Sequence, residues 1–322
     1  MGPEFKIRLI DYEPTADNFL EEALEGLQKP QKTLPCKFIY DEQGSEIFSR
    51  ICELDEYYPT RTEIAIMRER ANEMAEVMGP ECAIVEYGIG SALKTHMLLE
   101  ALDDPVACVP VEISREFLLN STEGLAREFP HIEFVPICAN FLAPFSLPVF
   151  SRPARRAIAY FPGSTIGNLT PDEAEDLLGN MAATCGGGGG LLLGIDLIKE
   201  VETIEAAYND SLGVTEEFNK NLLVRMNREL GADFNVESFD FRAFYNSEVR
   251  RVESYLISQA PQSVRLGGKT ISFKKGETIH TENSHKYDIK DFSEFAAGQG
   301  FQTEKVWTDG EKKFAVLFLK IA

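Results

Sequence analysis

Cys82-Ala83-Ile84-Val85-Glu86-Tyr87-Gly88-Ile89-Gly90-Ser91-Ala92-Leu93-Lys94 carries the strongest architectural signal in the chain. It begins as an apolar run of the kind that makes a buried parallel strand, and Lys94 to Leu102 continues as an amphipathic helix. Strand, glycine turn and helix in that order form the local geometry of a nucleotide-type cofactor site, because glycine lets the backbone approach a ligand closely. A dinucleotide fingerprint would place a third glycine near position 93, where this chain has Leu93. Two glycines, an acid at the strand end and Glu112 closing the next strand fit S-adenosylmethionine (SAM) better than NAD.

Working outward, strand-like apolar runs recur at 82–87, 106–112, 132–138, 156–161 and 190–196, with helical patterns at 93–102, 115–128 and 171–184. Such alternation predicts a parallel sheet with helices on both faces. After Asp196 the alternation stops. Residues 199–230 read as helical, and 239–245, 249–259, 263–267, 270–274 and 277–284 as short antiparallel strands. Residues 288–298 read as a helix, and 301–307 with 313–320 as a closing hairpin. Upstream, Thr15 to Lys29 and 45–54 read as helices. Pro59 predicts an extended or turn conformation for Tyr58, and Thr60 with Glu63 has capping-box spacing for the helix that follows. The expected fold class is therefore α/β, a Rossmann-like core interrupted by an α+β insertion at 198–285 on which the N-terminal helices pack. The opening Met1-Gly2-Pro3-Glu4-Phe5 has the look of a cloning remnant and is left out of the fold.

Composition narrows the function. A formal charge of −20 opposes a nucleic-acid partner, since a polyanion would be repelled. With 44% hydrophobic residues and no apolar run near the roughly 20 residues of a membrane span, no membrane association is expected. The six cysteines are widely spaced without a CxxC, and three of them (Cys82, Cys108, Cys138) sit in strand-like runs, so buried reduced thiols and a cytoplasmic setting are expected. Four histidines at 96, 131, 280 and 285 show no metal-ligand spacing, so no metal is expected. A small zwitterionic or cationic substrate suits this charge.

Several side chains fall where a cofactor or substrate would lie. A carboxylate at Glu112 can accept both ribose hydroxyls of a nucleoside. Asn140 can accept from an adenine amino group while the Phe141 ring packs on the base, although Phe141 alone would simply be core. Gly163-Ser164-Thr165-Ile166-Gly167-Asn168-Leu169-Thr170-Pro171 follows the fourth strand, at the carboxyl edge where open α/β sheets bind ligands, and supplies small polar groups. Tyr208 would be core by default, while of the adjacent Tyr57 and Tyr58 one could face a pocket as the other packs. Glu282 and Ser284 share a face if their segment is extended and could grip two N–H groups of a ring, or could equally be a solvated strand face.

Taken together these segments resemble the histidine Nα-methyltransferase family of ergothioneine biosynthesis, which makes hercynine (histidine betaine) from histidine and three SAM molecules. The resemblance rests on Lys37-Phe38-Ile39-Tyr40-Asp41, Glu56-Tyr57-Tyr58-Pro59-Thr60-Arg61-Thr62-Glu63, Gly163 to Pro171, Ala207-Tyr208-Asn209-Asp210, Asn227-Arg228-Glu229-Leu230 and Thr281-Glu282-Asn283-Ser284, and runs from about residue 15 to the C-terminus. It implies a class I SAM-dependent methyltransferase core at 62–197 and 286–322, and a discontinuous substrate-binding domain at 13–61 and 198–285. It implies SAM contacts from Gly88, Lys94, Glu112, Asn140 and Phe141. It implies histidine contacts from Tyr57, Asn168, Tyr208, Glu282 and Ser284, and catalytic placement of Tyr40 and Tyr57. A monomer is expected. Glu112 and Asn140 stand where familiar members have aspartate, and both retain an acceptor. Ser254 stands where they have methionine, which enlarges the substrate pocket and keeps open another aromatic amino acid such as tryptophan as substrate. A third possibility is a paralogue that binds SAM without catalysis.

Overall fold

In a computed structural model, residues 7–12, 18–90 and 92–321 are described. The start expected for the first helix at Thr15, and Ser91 in the glycine turn, lie outside them. The chain forms two compact units, one from residues 7–12, 59–198 and 287–321 and the other from 18–58 and 199–286. The chain passes between them at Tyr58–Pro59, Ile198–Lys199 and Lys286–Tyr287, where the sequence suggested 61/62, 197/198 and 285/286.

The first unit is built on a nine-stranded sheet. Its centre is β3 (Cys82–Tyr87), with every residue buried. β3 lies parallel to β4 (Ala107–Glu112) on one side and to β7 (Arg156–Phe161) on the other, so that Val85 stands beside both Val109 and Ala159. β8 (Gly190–Asp196) continues in parallel beyond β7, and β15 (Phe314–Ile321) and β14 (Phe301–Thr308) close the sheet in antiparallel pairing. Strands β4 and β7, the two that follow β3 on its opposite sides, make a topological switch at the carboxyl end of β3, the place where such sheets bind ligands. Helices α4 (Ala92–Ala101), α5 (Arg115–Glu128), α6 (Pro171–Cys185) and α9 (Ile289–Ala297) belong to this unit. Helix α6 starts with a full capping box between Thr170 and Glu173, with Pro171 in the first turn.

Two expectations are corrected here. The run 132–138 is not one strand but β5 (Glu133–Phe134) and β6 (Ile137–Cys138), because Pro136 has no N–H to give to a ladder. And α3 spans Tyr58–Met78, so Tyr58 is helical rather than extended and Thr60 lies inside the helix, not at its cap. Pro59 is tolerated because a first-turn N–H has no intrahelical partner to lose. Glu63 is thereby released from capping and is buried, 1% exposed. The two-residue β1 (Ile10–Asp11), paired to β6, carries no periodicity that a sequence reading could register.

In the second unit the sheet runs β2–β13–β10–β9, with β9 (Phe239–Asn246), β10 (Arg251–Ser258) and β13 (Thr278–His285) antiparallel and β2 (Lys32–Thr33) parallel at the edge. β11 (Gln262–Leu266) and β12 (Lys269–Phe273) form a separate hairpin turned by Gly267 and Gly268, both at positive φ as a tight primed turn requires. Against the larger sheet pack α1 (Phe19–Leu27), α2 (Glu42–Cys52) and α8 (Val214–Leu230) through Phe19, Leu27, Ile47, Ile51, Phe218 and Leu222. The helical stretch expected over 199–230 is broken into α7 (Val201–Ala206) and α8. The Asp210 carboxylate takes the Val214 and Thr215 amides, and Gly213 sits at φ 71°, so the chain restarts a helix rather than continuing one.

Candidate functional site

In the first unit, Gly88, Glu112, Asn140, Phe141 and Asn168 lie at or after the carboxyl ends of β3, β4, β6 and β7, and Lys94 lies in the first turn of α4. Gly88 follows β3 at φ 76°, a left-handed backbone that favours glycine, and a Cβ built on it would touch the Phe141 ring at 3.7 Å. A Cβ at Gly90 would meet nothing within 4 Å. Glu112 ends β4, and its Oε1 accepts the Ile113 and Ser114 amides at 2.8 and 3.2 Å. Burial raises its pKa above the usual carboxylate range. Asn140 Oδ1 accepts the Leu142 amide at 3.1 Å, a local turn that holds the side chain, and Phe141 packs edge-on against Phe161. Glycine backbone, a strand-end carboxylate and an amide beside a ring are the donor and acceptor set a nucleoside cofactor needs, so these residues fit SAM.

Lys94 is nearly buried, and its Nζ donates to Glu63 Oε2 at 2.6 Å. Behind the glycine turn, Glu86 accepts from Thr95 Oγ1 with both oxygens, at 2.7 and 2.8 Å. Burial pushes its carboxyl up to about 7, while Thr95 and Lys94 pull the other way. A carboxyl whose folded pKa lies above its unfolded value near 4.5 holds a proton that the unfolded chain releases, so it subtracts stability as pH rises from 4.5 through 7. Glu86→Gln keeps the acceptor for Thr95 and removes the ionisation. In urea unfolding of the ligand-free protein, this variant should gain up to about 3 kcal/mol at pH 8 and nothing near pH 4. An equal gain at both pH values would contradict the assignment.

Asn168 closes the short turn Thr165–Asn168, itself preceded by Gly163 (φ 80°) and Ser164 (φ 57°). Ser164 Oγ accepts the Asp196 amide at 2.9 Å, which ties this loop to the end of β8.

The second unit brings together Tyr40, Tyr57, Tyr208, Glu282 and Ser284. Tyr40 follows a turn at Cys36–Ile39 and meets Phe48 and Phe218 edge-on at 5.7 and 5.2 Å. Tyr57 lies edge-on to Phe48 and to Tyr208, each at 6.2 Å between centroids. The Tyr208 hydroxyl is 2.7 Å from Ser284 Oγ. Burial pushes both the Tyr40 and Tyr57 phenols well up, with Glu282 adding to each, so both stay protonated at neutral pH. Glu282 is 8% exposed, and burial raises its carboxyl to about 7 against the pull of Lys286. On β10, Ser254 stands directly opposite Glu282 in the strand register.

Two residues of the site were not singled out from the sequence. Lys286 is 2% exposed, and its Nζ donates to Tyr208 Oη and Ser284 Oγ, each at 2.8 Å. It continues the period-2 face of Glu282 and Ser284 by one more step, a signal the sequence did carry. Glu63 was read as a cap and is instead Lys94's ion partner. Among the described residues no group of three or more His, Cys, Asp or Glu side chains could hold a metal, and no helix is long and apolar enough to cross a membrane.

Residues 19–321 match the family model described as histidine-specific methyltransferase, SAM-dependent. The chain is 38% identical over 300 residues to the histidine N-alpha-methyltransferase of Mycobacterium tuberculosis (strain CDC 1551 / Oshkosh), covering 92% of each chain. It is 36% identical over 306 residues to that of Mycolicibacterium smegmatis (strain ATCC 700084 / mc(2)155), covering 94% of each. A more distant relative, 26% identical over 312 residues and covering 89% of each chain, is a 4-dimethylallyltryptophan N-methyltransferase of Aspergillus fumigatus. With a match of this extent, and a class I methyltransferase sheet to carry it, the chain belongs to the SAM-dependent, histidine-specific methyltransferases.

Proposed function

We propose that this protein transfers three methyl groups from SAM to the α-amino nitrogen of L-histidine, giving hercynine. The observation that carries the substrate is the buried carboxylate of Glu282, with Ser284 two residues along the same strand face. The Glu282 carboxylate can accept from an imidazole N–H, and the Ser284 hydroxyl, beside Tyr208 and Lys286, can serve the other ring nitrogen. Tyr57, Tyr208 and Asn168 would take the amino and carboxylate groups. The Glu112 Oε2 atom would accept from the ribose diol, Asn140 and Phe141 would hold the adenine, and Gly88 and Lys94 would line the cofactor.

When bound, SAM supplies an electrophilic methyl on a sulfonium, with a neutral thioether as leaving group. The chain's contribution is to position and desolvate the amine. An ammonium has no lone pair, so one proton must leave before each transfer. Tyr40 and Tyr57, held neutral by burial, offer phenol oxygens that accept an amine N–H and aim its lone pair, but neither provides a phenolate base. The reading includes a monomeric cytoplasmic enzyme acting on a free amino acid, supported by the net charge of −20 and by free thiols at all six cysteines. The test is stoichiometric. With SAM in excess, S-adenosylhomocysteine released per histidine consumed should approach three, whereas a plateau at one would contradict trimethylation.

A further inference from the structure

We propose that Glu63 is a positioning residue of this methyltransferase, setting both the Lys94 ammonium and the amide that opens the 163–168 loop. This rests on the reading above, in which Lys94 lines the cofactor and Asn168 contacts the amino acid. Glu63 Oε2 accepts from Lys94 Nζ at 2.6 Å, and both carboxylate oxygens lie 3.0 Å from the Gly163 amide nitrogen. The two groups it holds come from α4 and from the turn after β7, and Glu63 itself from α3. One carboxylate thus joins three separate segments.

The surroundings are shaped to admit it. A Cβ on Gly194 in β8 would fall well inside contact distance of Glu63 Oε1, so the strand leaves the carboxylate its space by having no side chain there. A Cβ on Gly163 would lie 3.5 Å from Lys94 Nζ, an ordinary contact distance, so the loop start lies directly beside the lysine. The loop needs an anchor. Gly163 and Ser164 both have positive φ, and for serine that is a strained conformation which persists only when its neighbours enforce it. Glu63 holds the amide at the start of the loop, and the Asp196 amide holds Ser164.

Energetics favour a positional role over a stabilising one. Burying two charges costs desolvation that a well-packed apolar pair would avoid, so such a pair is weak evidence for stability. The other ionisable groups facing it are Glu86 from β3 and Tyr160 from β7. Glu63 raises the pKa of both, whereas Lys94 lowers that of Glu86.

The test is a pair of substitutions read by calorimetry with SAM alone, then with histidine in the presence of S-adenosylhomocysteine. Glu63→Gln keeps an acceptor for the Gly163 amide but loses the charge that holds Lys94. SAM affinity should fall roughly tenfold or more, the scale of a lost charge-assisted bond, while histidine affinity changes by less than about threefold. Glu63→Leu removes both contacts and should weaken both ligands. A residue with a merely structural role would lower the unfolding temperature without separating the two affinities in this way. Folded variants that both bind SAM as the wild type does would overturn the proposal, and so would failure of both to fold, which would make Glu63 a stability residue. Were the wild type to bind SAM but not histidine, the substrate reading would fall while the SAM result still decided the role of Glu63 toward Lys94.

Discussion

Gly88→Val should yield a folded protein that no longer binds SAM measurably. Two effects act in the same direction. Residue 88 has φ 76°, where a β-branched side chain carries strain on the order of 1–3 kcal/mol. The new side chain would also project toward Phe141, on the side proposed to receive the cofactor. Because the strain is local and the strand before it is wholly buried, the fold should survive with a lowered melting temperature. Isothermal calorimetry on the folded variant is the check. Unchanged SAM affinity would move the cofactor away from the glycine turn.

Glu282→Ala should remove the preference for histidine without touching SAM affinity. Loss of a charge-assisted bond to the imidazole is worth about 1.5–3 kcal/mol, roughly a 10–150-fold loss in histidine affinity. Discrimination against tryptophan should relax at the same time, since a larger and less polar ring would no longer face a buried carboxylate, and the residue opposite Glu282 is the small Ser254. The quantity to measure is kcat/KM for histidine over tryptophan in both proteins, and an unchanged ratio would reduce Glu282 to a strand-face acid. The wild-type pH profile adds an independent sign. With Glu282 raised to about 7, histidine kcat/KM should climb through that range as the carboxylate ionises, and Glu282→Gln should flatten that limb.

The parts of this molecule that could be read from the sequence are those governed by local rules. Strands β3, β7 and β8 span the residues that their near-continuous apolar runs mark, because strands buried on both faces are mostly apolar, with charged residues only at or beside their ends. Other features depend on partners distant in sequence. β1 and β2 are two residues long and exist only because β6 and β13 lie beside them. Pro59 suggests an extended or turn conformation for Tyr58, but Tyr58 is helical, because a proline also fits the first turn of a helix. For the candidate site, the glycine turn and strand-end acids were legible because topology dictates where ligands bind. Tyr40, Tyr57 and Tyr208 stand out only through the family resemblance, since none carries a local signal that separates a pocket tyrosine from a packed one. Lys286 was overlooked for a physical reason as well: a lysine in a strand pattern ordinarily faces water, and here two hydroxyls hold it buried.

Mass spectrometry of histidine incubated with SAM and this protein tests the central claim most directly. Species carrying one, two and finally three added methyl groups should appear in succession, and fragmentation should assign all of them to the α-nitrogen. Methylation of an imidazole nitrogen, or transfer to tryptophan with histidine left unmodified, would contradict the account.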